Sequence, residues 1–464
     1  MSAAIYDPGD FFDEGVEAGG GARPAYREVL RTLGSDPAGA LASVDRVVAE
    51  RGIEFGKDEA KQPFVLDPIP RIVEAADWAE LEWGLAQRAR ALNALIADVY
   101  GERRIVSAGV LPQRVVDGAE YLEPEMTGLV GSNAATVIGF DLVRDREGRF
   151  LVLEDNTRTP SGMAYAAAAR SVSEELLSEE VDCARPLDPV FGWLGKALRE
   201  SGPDGVENPT VILLTDGPGN SAWYEHVELA RRLGIPLIQP NDLITDKDEL
   251  SYRGSDGALR RADVVLRRTD ADRIAEPRRG TTWIARKLLG PLRSGKLRMT
   301  NMFGSGVADD KLVYAYVPEA IRFYLDEEPL VAQISTLDCA NEEAFERVCT
   351  SPEDLVVKPR SESGGIGVVV GSQATGEELG ACVDSVRANP HDYIAQEIVP
   401  FSSCPTVVGD AIEPRHVDLR AFAVCGRGGA RVMPGGLTRV ALREGSLVVN
   451  SSQGGGGKDT WVLR

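Results

Sequence analysis

Two groups of residues in this sequence have the types and spacing for phosphate chemistry. The first is Leu355 to Gly371, LVVKPRSESGGIGVVVG. A β-type run ends at Lys358, a loop carries Gly364, Gly365 and Gly367, and Val368 to Val370 returns as a second strand. Such a loop lets backbone N–H groups approach phosphate oxygens, while the lysine supplies a point charge to the same group. Its plain alternative is a glycine hairpin with an exposed lysine. It is not a Walker loop, because no G-K-[ST] ending runs into a helix. Lysine is scarce here, only nine of 51 basic residues, so a lysine in a glycine-rich motif stands out. The second group is Asp141, Glu154 and Asn156, hard oxygen ligands that suit Mg²⁺ with waters and nucleotide phosphates completing its shell. Their alternative is turn capping in an ordinary hairpin.

Weaker candidates surround these. Arg158, Ser161 and Gly162 directly follow the metal-type residues and are read as substrate contacts. Gly217-Pro218-Gly219-Asn220-Ser221-Ala222 matches G-x-G-x-x-A between a strand and a helix, with Asp242 at a distance suited to a ribose, the pattern of a nicotinamide site. The proline in the turn and the rival phosphate loop favour a substrate-side Rossmann layer instead. The run Gly454 to Gly457, with Gly455 and Gly456 at its centre, precedes Trp461, Val462 and Leu463 and reads as a loop held between packed ends that closes over a transferring phosphate. Cys404 has no base nearby in sequence and reads as a buried thiol. His226, beside Glu225 at a helix start, reads as packing.

The elements that must position these residues follow from periodicity. Residues 1–75 mix Gly, Pro and short apolar clusters, with helical patches at Pro24 to Leu33 and Leu41 to Arg51. From Asp77 the apolar residues Leu81, Leu85, Leu92, Ile96 and Val99 recur at helical spacing up to Gly101, with Asp77 and Glu80 as a capping box. Val137 to Val143 and Phe150 to Leu153 flank the polar turn Asp145 to Gly148, a β-hairpin. Pairing Arg144 with Arg149 would set Asp141 opposite Val152, on the face that carries Glu154 and Asn156. Residues 210–240 read strand, glycine turn, helix, strand, and Ala262 to Arg267 is a further strand ending in a charged edge. After residue 311, helices give way to short strands and glycine turns.

Composition narrows the classes. The chain has 464 residues and 43% hydrophobic content, enough for two or three domains with real cores. Its net charge of −21 and pI near 4.8 have the wrong sign for a nucleic-acid coat. No apolar run is long enough to span a membrane, and Met1 to Gly20 lacks the form of a signal peptide. Six cysteines without a C-x-x-C pair and three scattered histidines argue against zinc and against a disulfide framework. The expectation is a cytoplasmic protein with neither nucleic-acid nor membrane partners.

The order of the pieces carries a resemblance. Lys358 with its glycine loop, then Gln396-Glu397-Ile398-Val399, Asp418-Leu419-Arg420, and Arg439 to Asn450 resemble the succession found in ATP-grasp ligases such as glutathione synthetase and D-alanine:D-alanine ligase. In those enzymes the metal-binding Asp and Glu-x-Asn hairpin comes last; here Asp141 and Glu154-Asp155-Asn156 come first. The chain therefore resembles the circularly permuted type 2 ATP-grasp family, from about Pro70 to the C-terminus. The segments FDLVRDREGRFLVLEDNTRTPSG, ADVVLRRTD, NMFGSGVADDK and VVNSSQGGGGKDTWV carry the match.

The resemblance implies an α/β chain with a permuted ATP-grasp fold, a Rossmann-like pre-ATP-grasp domain and an N-terminal helical region. The expected divisions are 1–130, mostly helical; 131–175, the metal-binding hairpin; 205–300, the Rossmann-like substrate domain; and 301–464, the nucleotide-binding core. It implies ATP and Mg²⁺ as cofactors. Lys358 and Lys311 would sit on the nucleotide phosphates, and Gln396, Glu397 and Val399 would form the adenine hinge. Arg420 would stabilise the transferring phosphoryl group, and Arg439 with Asn450 would touch the acyl phosphate or γ-phosphate. The implied reaction joins a small-molecule or peptide carboxylate to an amine through an acyl phosphate, releasing ADP and phosphate. An α-helical "alpha-E" protein is implied as a partner. The rivals are a phosphotransferase of the same fold and a non-catalytic nucleotide-binding partner protein. The ribose-binding residue and the substrates have no readable code.

Overall fold

A computed structural model of the chain describes residues 6–276, 279–361, 367–443 and 455–464. Its largest sheet draws on both ends of the sequence. The strand order is Leu66–Val73, Gly456–Val462, Gly429–Val440, Ala411–Gly426, Val137–Arg144, Phe150–Asn156, with Ser403–Val408 pairing onto Ala411–Gly426. All pairs are antiparallel except that between Leu66–Val73 and Gly456–Val462. The Leu66–Val73 strand is buried throughout although it contains Asp67 and Arg71. Each charge has a buried partner: Lys458 Nζ reaches Asp67 Oδ1 at 2.6 Å, and Arg71 makes a two-point contact with Glu14. Unpaired, either charge would cost several kcal/mol in that interior.

The helix Ala75–Val99 packs against this sheet through the periodic positions Leu81, Leu85, Leu92 and Ile96, all buried. It starts two residues earlier than the sequence suggests. Glu74 stands at the N-cap without a side-chain cap, and Asp77 accepts a hydrogen bond from Arg144 instead of forming the expected box with Glu80. An ion pair to the hairpin has replaced a local cap.

A second sheet is wholly parallel, in the order Arg298–Thr300, Val264–Arg268, Val211–Thr215, Leu237–Ile238. The helix Trp223–Leu233 connects its last two strands, as the strand, turn, helix, strand reading requires. A third, antiparallel sheet runs Thr336–Asp338, Tyr393–Glu397, Leu355–Pro359, Val369–Val370. It has its own small core, built around Cys339, Val348, Leu355, Val357 and Ala395. The fold is thus α/β, with the hairpin strands at one end of the large sheet's order and Lys358 on the small one. Among the described residues no helix is long and apolar enough to cross a membrane.

Candidate active site

The Val137–Arg144 and Phe150–Asn156 hairpin is closed by Asp145, whose Oδ1 accepts from the backbone N–H groups of Glu147 and Arg149 at 3.0 and 2.9 Å. Its register corrects the sequence expectation. Arg144 faces Phe150, Leu142 faces Val152, and a bulge then sets Asp141 directly opposite Glu154 and Gly139 opposite Asn156. The extra residue is accommodated because Val152 turns its backbone to another segment, donating to Ala332 O and accepting from Ile334 N. Asp141, Glu154 and Asn156 still share one face, since cross-strand partners point the same way.

Asp141 is almost fully buried and doubly paired. Arg420 binds it in a fork, Nε to Oδ1 at 2.7 Å and Nη2 to Oδ2 at 2.8 Å, and Arg439 Nη2 reaches Oδ2 at 2.9 Å. Arg439 also forks onto Asp418, one strand position away from Arg420's neighbour Leu419. Burial alone would raise the Asp141 carboxyl, but the two guanidinium groups outweigh it and hold the group below the ordinary aspartate value. Glu154 shifts the other way: burial first, and then the Asp141 charge, raise it. It accepts no side-chain hydrogen bond among the described residues, although the charges of Lys311, Lys358 and Arg420 act on it.

Lys358 lies on the third sheet, where its Nζ donates to Gln396 Oε1 at 2.5 Å; Gln396 in turn donates to Thr336 Oγ1 at 2.8 Å. Burial brings the Lys358 amine down to about 8, with Glu154 opposing the shift and Lys311 adding to it. Lys311 opens a short helix after Asp310, which caps that helix and pairs with Arg360 at 2.8 Å. Glu154, Asp309 and Lys311 line both a cavity of about 330 Å³, which also holds Asp141, Asn156, Arg420 and Arg439, and a small cavity of about 20 Å³ beside it that holds Lys358 and Gln396. The metal-type face of the large sheet, Lys358 on the third sheet and Lys311 on its short helix therefore converge.

Fit to Mg²⁺ can be tested on these side chains. Asn156 Nδ2 is buried without a partner among the described residues, and half a turn of the amide would present Oδ1 to the same place. Glu154 accepts no side-chain hydrogen bond among the described residues, whereas Asp141 must share its oxygens with two arginines. One or two carboxyl or amide ligands suffice for Mg²⁺ when waters and phosphates complete the octahedron, so the set fits.

Arg158, Ser161 and Gly162 line the larger cavity. Arg158 is clamped by Asp309 at 2.7 Å and Asp272 at 3.1 Å and lies 3.7 Å from the Tyr121 ring centroid. Ser161 Oγ accepts from Arg268, and Gly162, at φ +129°, donates its N–H to Glu225 Oε2 at 2.7 Å. Glu397 is exposed and pairs with Arg347, and Val399 follows the strand, so any hinge role belongs to their backbone. Gly367 adopts φ +70° against Pro359, as a glycine loop requires. Gly455 and Gly456 line neither cavity. Gly456 is a buried strand residue opposite Val440, a correction to the loop reading, because the strand already takes in the last two glycines of the run. Gly364, Gly365 and Asn450 lie outside the described residues.

The rival motifs resolve locally. At the Gly217–Ala222 turn Asn220 bridges Asp216 and Asp270, a Cβ on Gly217 would lie 2.5 Å from Gln239 Oε1, and Ser221 and Ala222 line the larger cavity. Asp242 accepts the N–H of Gln239. His226 is buried against Thr215 Oγ1 at 2.8 Å, and burial lowers it to about 2. Burial raises the Cys404 thiol to about 12, which leaves no thiolate at neutral pH. Residues the motif reading missed include Asp309, Asp310 and Arg360; the Asp-Asp pair before Lys311, and the place of Arg360 two residues after Lys358 in the same loop, were the available signals.

Comparison with known proteins identifies the family and the fold. Residues 70–441 match the family model for circularly permuted ATP-grasp type 2. The Mycobacterium tuberculosis (strain H37Rv) protein Rv2411c is 40% identical over 463 residues, covering 97% of this chain and 84% of its own length. A Frankia alni protein named "Putative glutamate--cysteine ligase 2-3" is 42% identical over 473 residues, spanning 99% of this chain but only 54% of that relative. Among solved structures, the apo form of a glutathione synthetase-like effector, GSS30 from Globodera pallida, superposes with a TM-score of 0.57 at 12% identity, covering 92% of this chain and 97% of that one, which shows likeness of fold. The chain belongs to the circularly permuted type 2 ATP-grasp family.

Proposed function

We propose that this protein is an ATP- and Mg²⁺-dependent ligase that joins a carboxylate to an amine through an acyl phosphate. The observation that carries the reading is the convergence of Arg420 and Arg439 on Asp141, opposite Glu154, with Lys311 and Lys358 acting on the same carboxylate. Such an array suits a transferring phosphoryl group, whose catalysis is mostly positioning and charge stabilisation. Glu154 and Asn156, with Asp141 behind them, would hold Mg²⁺, which would neutralise charge on the β- and γ-phosphates. Lys358 is kept in place by Gln396 and Thr336 and would contact the nucleotide phosphates, Arg420 would follow the transferring group, and Arg158, Ser161 and Gly162 would face the carboxylate substrate. No nucleophile from the chain is required. The name of the Frankia relative points to ligase chemistry of the same type. All six cysteines are free thiols, consistent with a reducing cytoplasm.

The test is the product split. A ligase releases ADP and phosphate only when both a carboxylate and an amine are supplied. A phosphotransferase gives ADP and a stable phosphorylated substrate with one of them, and AMP with pyrophosphate would signal adenylation. Either of the last two results overturns the proposal.

A further inference from the structure

The larger cavity extends beyond the charged array to a wall that phosphate transfer does not use. Phe55, Phe64, Tyr165, Ala222 and Leu437 line it, and none of them lines the small cavity that holds Lys358. Tyr165 stacks on Phe64 with ring centroids 5.0 Å apart and meets Phe55 edge-on at 6.0 Å. Its hydroxyl is spent on Glu54 O at 2.7 Å, so Tyr165 offers the wall its ring rather than a polar handle.

Phe55 and Phe64 belong to a small hairpin, Glu54–Phe55 with Gln62–Pro63, and its flank. This segment precedes the family-matched residues 70–441. It is strapped across the parallel-sheet layer by Gly56 N to Ser221 O at 3.2 Å and by Lys57 to Asp270 at 2.7 Å. Five cations line the cavity among the described residues: Arg158, Arg360, Arg420 and Arg439 are each already paired with an aspartate, and Lys311 donates to Arg360 O at 3.4 Å. A second, side-chain carboxylate on the substrate would meet rings at this wall instead of a cation.

We infer that the substrate seated in this cavity carries an apolar side chain, aliphatic or aromatic, next to its reacting group, and that Phe55 on the N-terminal hairpin selects for it. The inference rests on the ligase reading for the reaction but on the wall alone for the selectivity. A methylene-scale fit in such a pocket is worth roughly 10- to 200-fold in kcat/KM.

The experiment uses the full chain and Phe55→Ala, chosen because Phe55 is half-buried while Phe64 packs closely on Gly457. ADP release is followed with leucine, phenylalanine, glutamate and lysine, free and as dipeptides, each supplied with an amine mixture. Preference for leucine or phenylalanine over glutamate by about tenfold or more, lost in Phe55→Ala with KM for ATP unchanged, is the expected result. Preference for glutamate or lysine, or a ratio unmoved by Phe55→Ala, overturns the inference. If no probe turns over ATP, the ligase reading fails, and ligand-observed NMR with leucine, phenylalanine and glutamate decides the wall separately. Saturation transfer to the apolar probes that weakens in Phe55→Ala upholds it; none, or equal transfer to glutamate, overturns it.

Discussion

Replacing Arg439 by methionine should expose how the charged array is balanced. Asp418 is fully buried, and Arg439 is its only ion-pair partner among the described residues, through Nε to Oδ1 at 2.8 Å and Nη2 to Oδ2. Asp141 is different, because the Arg420 fork remains after Arg439 is gone. The lost pair therefore orphans one carboxylate, and breaking a buried pair from one side costs about 3–5 kcal/mol. With m of roughly 3–4 kcal/mol/M for a chain of this size, the urea midpoint read by circular dichroism should fall by about 1 M. Adding Asp418→Leu should restore most of that loss, because removing both members of a buried pair is close to neutral. The pH dependence has a definite sign. Burial already raises Asp418 and Arg439 opposes the shift. Without Arg439 the folded-state pKa rises further, the native state binds the extra proton, and stability is lost as pH rises through that value. The deficit of Arg439→Met should thus shrink towards acid pH. A midpoint equal to that of the parent, or a double variant as unstable as the single one, would refute the reasoning. Neither variant should regain ATP turnover, since Arg439 also faces the cavity.

Other expectations follow from the same side chains. Because Lys358 sits near 8 in the free protein, its amine is protonated below that pH and neutral above it, so kcat/KM for ATP should fall as pH rises through about 8. Lys358→Met should abolish phosphate release at every pH, and a flat profile in the parent would remove Lys358 from the phosphates. Glu154→Gln should weaken Mg²⁺-ATP turnover at least about a hundredfold, the cost of losing one preorganised charged contact, while leaving the melting temperature of the free protein nearly unchanged; equal turnover in variant and parent would dismiss the metal assignment. Since burial raises Glu154, protons should compete with Mg²⁺ there and metal affinity should fall as pH is lowered, as read by calorimetry. ATP should bind and NAD should not; tight NAD binding without ATP binding would restore the Gly217–Ala222 reading.

Much of the site was legible because its residues are local. Asp141, Glu154 and Asn156 sit on one hairpin, whose two β-type runs and polar turn are visible in the sequence. The register was not, because the bulge opposite Leu142 depends on the distant segment around Ala332 and Ile334, which captures the backbone of Val152. Lys358 at a strand end was readable, but its tether to Gln396 and Thr336 is a cross-strand fact. The double arginine clamp on Asp141 joins residues nearly 300 positions apart, and no periodicity announces it. The place of Leu66–Val73 in the large sheet was hidden for another reason. Its Asp67 and Arg71 break the apolar pattern of a buried strand, and distant partners offset the burial: Lys458 and the Val407 N–H for Asp67, Glu14 for Arg71. The glycine run misled because its last two members, Gly456 and Gly457, already pair as a strand with Val440 and Arg439, which needs little more than backbone.

The central claim is that the carboxylate attacks the terminal phosphate of ATP and that the resulting acyl phosphate is captured by an amine. The most direct measurement places ¹⁸O in the carboxylate of the substrate and follows the label by mass spectrometry through one round of ligation. Attack through the carboxylate oxygen, followed by loss of phosphate to the amine, predicts one labelled oxygen in the released inorganic phosphate and none in ADP. Label in AMP, or phosphate without label while product forms, would contradict the account.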